Sequence, residues 1–252
     1  MTIAGYRIPP LASLLFWAVI WEIVGHLGIV FLFPPLSSVV MELGQVVGSS
    51  TFLGAAWMTV ESFVLGLLLA IAVGVPMGLL MGRFNAADKL LGMWVNLFVS
   101  APLSALVPII MILFGMGQAT IIVTVFMFAV WIIVLDTRAG VRDVPNSLNE
   151  MARSFGASGW QQLTKITLLA ALPEILAGIR LGVVRGVKGV VIGQLLVSIV
   201  GLGELFELYS RNFLMEEFWA LTLIVFAFAL GAAELIAILE RKIDFYAGVR
   251  HG

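Results

Sequence analysis

The chain has 252 residues, 61% of them hydrophobic and only 12% charged, with a mean hydropathy of +1.10 and a formal net charge of −1. A soluble globular domain of this size cannot cover so much apolar surface with so few polar residues, and a near-neutral chain carries no electrostatic footprint for nucleic acid. The absence of cysteine excludes disulfides, thiol catalysis and iron–sulfur clusters.

Crossing the hydrocarbon core of a bilayer takes about 20 mostly apolar residues in a helix. Six runs offer this in chain order: 11–33, 59–81, 90–114, 119–135, 175–200 and 218–239. The expected fold is all-α, a polytopic membrane protein of about six transmembrane helices forming a single domain over 1–252. The first run is too long for the apolar part of a signal peptide and lacks a small-residue cleavage site, so it counts as a span. Within it Glu22 and His26, at i and i+4, can share a hydrogen bond on one helix face. Pro76 lies between Gly74 and Gly78 in the second run, and Pro102 and Pro108 interrupt the third. Such prolines either kink a membrane helix or leave backbone groups free to line a cavity.

Lys and Arg sort sharply among the connections. Arg83 and Lys89 follow the second run, Arg138, Arg142, Arg153 and Lys165 the fourth, and Arg241, Lys242 and Arg250 the sixth. The connections after the first and third runs have no basic residue, and Arg211 stands among Glu204, Glu207, Glu216 and Glu217 after the fifth. The positive-inside rule then puts both termini in the cytoplasm.

The longest cytoplasmic connection, 146–173, contains the polar stretch NEMARSFGASGWQQLTKITLLAALP. Ser147 and Glu150 have the S-x-x-E spacing of a capping box, which predicts a helix start. Leu148, Met151, Ala152 and Phe155 fall at i, i+3, i+4 and i+7 and form one apolar stripe. Gly156 stands where a helix end favours a residue able to take positive φ. A second box, Ser158 to Gln161, starts another helix that can run to Pro173. Such a stripe either packs on the chain's own membrane bundle or docks into a groove of another protein.

In the fifth run Gly178, Gly182, Gly186, Gly189 and Gly193 gather on one narrow face with G-x-x-x-G spacing, which suits close helix packing in a membrane. Arg180, Arg185, Lys188 and Gln194 occupy the other side. Charges inside a bilayer need partners or water, so these four are candidates for a translocation path. For Arg180 and Arg185, near the cytoplasmic end, snorkelling to headgroups or pairing with Glu174 is the alternative; for Lys188 it is an ion pair with a neighbouring subunit.

Glu150-Met-Ala152, Gly156 and Ile166-Thr-Leu168 together resemble the EAA loop of binding-protein-dependent ABC importer permeases. The segments APLSALVPIIMILFGMG (101–117), RAGVRDVP (138–145), ALPEILAGIRLG (171–182) and GLGEL (201–205) are similar to the branch that imports sulfonates, taurine, nitrate and related solutes. The resemblance implies that Leu148, Glu150, Met151, Ala152, Phe155, Gly156 and Ile166 belong to a coupling helix seated in a cytoplasmic ATPase. It also implies two such ATPase subunits, a second permease chain, an extracytoplasmic solute-binding protein and a place in the bacterial inner membrane. Met151 departs from the motif's second alanine, and Leu169 stands where its proline is usual. Where the family more often has an apolar residue and a glutamate, this chain has Lys188 and Gln194, changes that favour an anionic solute.

No G-x-x-x-x-G-K-[ST] is present, so the chain has no P-loop of its own, and ATP with its magnesium is expected on the partner ATPase. No H-E-x-x-H, no G-x-S-x-G and only the isolated His26 and His251 are present, so no metal or catalytic site is expected. The competing reading is a secondary transporter or channel that uses the intramembrane charges. It leaves the capped loop unexplained and would be favoured by a repeat that the two halves do not show.

Overall fold

A computed structural model of the chain describes residues 2–3, 6–7, 10–29, 32–197 and 199–247; Arg250 and His251, and the side chains of Arg241 and Lys242, lie outside the described residues. Strands β1 (Thr2–Ile3) and β2 (Tyr6–Arg7) make a minimal antiparallel ladder. The other described elements are helical.

Helix α1 (Pro10–His26) has 17 residues, about 26 Å at the α-helical rise and short of the roughly 30 Å hydrocarbon core. Its expected pair forms, with His26 Nε2 and Glu22 Oε1 2.9 Å apart. Glu22 does more than the sequence suggested: it accepts from the Ser37 hydroxyl and backbone N–H at 2.7 and 2.9 Å, capping the start of α2 (Leu36–Gly48). Helix α3 (Ser50–Arg83) has 34 residues and starts earlier than the apolar run, because the Ser49 hydroxyl accepts from Phe52 N–H. Pro76 sits inside this continuous helix.

The expected third span is broken. Helix α4 (Asn85–Ser100) and the segment Leu103–Phe114, which ends in α5 (Val107–Phe114), meet at 97°. Proline disfavours helical ψ in the residue before it, and Ala101, preceding Pro102, is extended at φ −70°, ψ 145°. Pro108 instead falls in the first turn of α5, where a missing N–H costs nothing. Helix α6 (Gln118–Arg142) follows, and the chain later crosses in α10 (Leu172–Val197) and α12 (Met215–Ala247). Three helices are long and apolar enough to span a membrane, and five if each bent pair is one span, against the six expected.

Helix α6 is the centre of the bundle. A methyl group added at Gly66, Gly74, Gly78 or Gly82 of α3 would come within 2.5–3.0 Å of Val125, Ile133, Thr137 or Val141 respectively, so α3 and α6 run parallel in close contact. On the other side the α10 glycines meet α6 in antiparallel order. Methyl groups at Gly178, Gly182, Gly189 and Gly193 would lie 2.7–3.4 Å from Asp136, Ile133, Phe128 and Thr124, and one at Gly186 would lie 3.2 Å from Phe63 of α3.

Two segments expected as loops are amphipathic helices, α2 and α11 (Leu202–Arg211). Val39 and Val46 of α2, Leu202, Leu205 and Phe206 of α11, and Ala220, Leu221 and Val225 of α12 bury together in one core. Next to it Trp21, Phe33 and Trp219 stack edge and face, and both indole N–H groups are satisfied by the carbonyls of Pro34 and Leu32.

Candidate functional site

The 146–173 connection is ordered from end to end. Helix α7 spans Asn146–Ser154 with Pro145 as its N-cap. The Ser147–Glu150 box does not form. Pro145, at φ −56° and ψ 133°, already starts the helix by accepting from Leu148 N–H, so Ser147 lies in the first turn and Glu150 is exposed. The far end follows the sequence closely. Gly156 has φ +76°, its N–H bonds to Arg153 O, and Ala157 N–H bonds to Ala152 O, both at 2.9 Å. These two bonds make a Schellman closure.

The second box is present, with Ser158 N–H donating to Gln161 Oε1 at 2.8 Å and Gln161 N–H to Ser158 Oγ at 3.3 Å. It opens α8 (Gly159–Gln161), which continues through one π-helical segment, Gln162–Thr167, into α9 (Leu168–Ala170). The run breaks at Ala171, and α10 departs at 63° with Pro173 in its first turn.

The apolar stripe divides between two partners. Ala152 is 4% exposed, and Leu148 packs on the core of Val141, Val144, Ala171 and Ile175. Met151 and Phe155 project outward, Phe155 at 86% exposure. Trp160, which the sequence reading took only as part of a helix start, is 72% exposed nearby in the chain. Ile166 is half-buried. One side of α7 is therefore fastened to the bundle while the other offers large apolar groups to water.

On α10, Arg180 and Lys188 are exposed and Arg185 is half-buried. Arg185 interacts electrostatically with Asp136 of α6, a carboxylate just beyond the fourth apolar run. Lys188 makes no ion pair among the described residues. Gln194 is 2% exposed, and its amide donates to Thr59 Oγ1 of α3 at 2.8 Å. Beside it, a cavity of about 340 Å³ opens between α3 and α11, lined in part by Ser50, Met58, Gly201 and Glu204. On the Arg-rich side, Asp88 of α4 is held by Arg138 and Arg142 of α6, with the closest nitrogens at 2.6 and 2.7 Å. The sequence places those arginines on the basic side and does not show the carboxylate between them.

Tightly packed spans, a basic side and a rigid helix presenting apolar groups on that side are the build of a transport permease. Residues 74–245 match the family described as binding-protein-dependent transport system inner membrane component, and the chain belongs to that family. The bicarbonate transport system permease protein CmpB of Synechococcus elongatus is 31% identical over 220 residues, which cover 82% of this chain and 79% of that protein. The putative aliphatic sulfonates transport permease protein SsuC of Bacillus subtilis is 28% identical over 227 residues, covering 89% and 82%. Among solved structures, an inward-facing conformation of the MetNI methionine ABC transporter has a TM-score of 0.63 at 19% identity, over 74% of this chain and 93% of that one, a likeness of fold. The chain is thus a multi-pass transport permease and not itself an enzyme.

Proposed function

We propose that the chain is the translocation subunit of an ATP-driven importer in the bacterial inner membrane, with both termini cytoplasmic and a small anion as its solute. Two cytoplasmic ATPases hold the nucleotide and magnesium, a second permease chain completes the path, and an extracytoplasmic binding protein delivers the solute. The observation that carries the reading is α7. A helix closed by a Schellman turn and fastened through Leu148 and Ala152 keeps Met151 and Phe155 exposed at its outer side. Exposed apolar groups on a rigid mount suit insertion into a groove, so movement of an ATPase would reach the bundle through α7 as a lever.

For the solute, the support lies on α10, whose glycines face α6 while Lys188 is exposed without an ion pair among the described residues. A charge in that position favours an anion in a path between two permease chains. Gln194 is engaged with Thr59, which gives it a bracing role in the state described.

Two measurements test the proposal. Phe155→Asp places a charge on the docking side, and the permease is expected to purify folded while losing its ATPase; retention of the ATPase would sink the coupling assignment. Lys188→Met is expected to lower solute uptake at least several-fold without changing expression. Unchanged uptake, or a cationic solute, would overturn the anion assignment.

A further inference from the structure

We infer that the root of α7 holds a small oxyanion, of phosphate or sulfate type, in a pocket separate from the translocation path. A cavity of about 200 Å³ lies where α3, α4, α6 and α7 end or begin, and its polar lining comes from Arg83, Asn85, Arg142, Asn146, Asn149 and Thr167. No carboxylate lines it. Arg83 has no ion pair among the described residues, and Arg142 gives one nitrogen to Asp88 out of five N–H donors.

Helices α4 and α7 both begin at this cavity, at Asn85 and Asn146, and neither has a capping side chain. Uncapped first turns carry orphan N–H groups and partial positive charge, which Asp88 in the first turn of α4 offsets in part. Thr167 is 3% exposed, and its hydroxyl makes no hydrogen bond among the described residues. Asn149 Oδ1 is buried without a partner, and turning that amide presents its NH2 to the same space. Two arginines, one of them also paired with Asp88, two helix starts, a threonine hydroxyl and a rotatable amide supply donors and positive charge, and no carboxylate lines the cavity. That is the chemistry of an oxyanion site. Its occupant would join the ends of α3 and α6 to the starts of α4 and α7, fixing the base on which the lever turns.

The oxyanion can be a free ion or a lipid phosphate, and one experiment separates them. Because the chain lacks cysteine, Asn146→Cys places a single thiol at the cavity of the full chain. The readout is its rate of labelling by an uncharged maleimide in dodecyl maltoside, a detergent without phosphate. Inorganic phosphate or sulfate is expected to slow labelling several-fold, whereas chloride at matched ionic strength is not. If phosphatidylglycerol alone gives that protection and added phosphate does not, the source is the lipid. Arg83→Gln in this background should remove the protection and leave the unprotected rate intact, and Lys89→Gln, an exposed charge outside the lining, should keep it. The proposal is overturned if neither the ions nor the lipid protect, if chloride protects equally, or if Arg83→Gln retains protection. Binding is read without transport, so this result and the fate of the Phe155→Asp complex are independent.

Discussion

One hydroxyl joins three helices. Thr59 Oγ1 donates to Ala55 O within α3, accepts from Gln194 of α10 at 2.8 Å, and lies 3.3 Å from the Leu202 N–H that starts α11. Thr59→Val keeps the shape and removes the acceptor, leaving a buried amide unpaired at a cost of about 1–3 kcal/mol. The melting temperature in detergent is therefore expected to fall, and Thr59→Ser should restore most of it. The sequence singled out Gln194 as polar and unusual at its place in the span. What it could not show is a partner 135 residues away, since helical periodicity reports only the face a residue lies on. The same limit applies to Arg185, for which the sequence offered headgroups or Glu174 and the structure adds the charge of Asp136 on α6.

At the scale of the element, α7 was legible at one end and misread at the other. A glycine after the apolar stripe has one strong structural use, and Gly156 has it. The Ser147–Glu150 pattern competes with Pro145, whose fixed φ starts the helix two residues earlier. Gly156→Ala would force a Cβ into the left-handed region at about 1–2 kcal/mol. Unlike Phe155→Asp, it should leave the ATPase bound while lowering transport per ATP hydrolysed, because the lever is loosened and its docking side is intact; the two rates measured together in proteoliposomes check this. Helices α2 and α11 escaped the sequence reading because each is short and one-sided. A search for 20-residue apolar runs passes over Leu202, Leu205, Phe206 and Tyr209, although their i, i+3, i+4, i+7 spacing was there to be read.

For the whole molecule, the glycine face of α10 was visible in the sequence and its partner was not. Nor did the sequence reveal that α3 carries a matching glycine seam, so that α6 is gripped from two sides. Gly78→Leu would drive a side chain into Thr137, whose Cβ lies 2.6 Å from where a methyl would sit. Overpacking of this kind costs typically about 1–3 kcal/mol, and the variant is expected to melt earlier and lose monodispersity. Gly231→Leu, at a site with nothing within 4 Å, is expected to change stability by less than about 0.5 kcal/mol. Of the six expected runs, the first forms the short α1, and the third and fifth lie in helix pairs bent at Pro102 and Ala171, which leaves three straight spans, or five when each bent pair is one span.

The α3–α6 seam keeps a constant register: Gly66 meets Val125, Gly74 meets Ile133, Gly78 meets Thr137 and Gly82 meets Val141, each pair 59 residues apart. The two helices run the same way, so the chain must leave the basic side and return before the second half of the seam exists. At about 5–20 residues per second, a ribosome needs roughly 3–12 s to add that length. For that interval after synthesis α3 sits in the membrane with its glycine groove unfilled, and the centre of the permease closes only when α6 arrives.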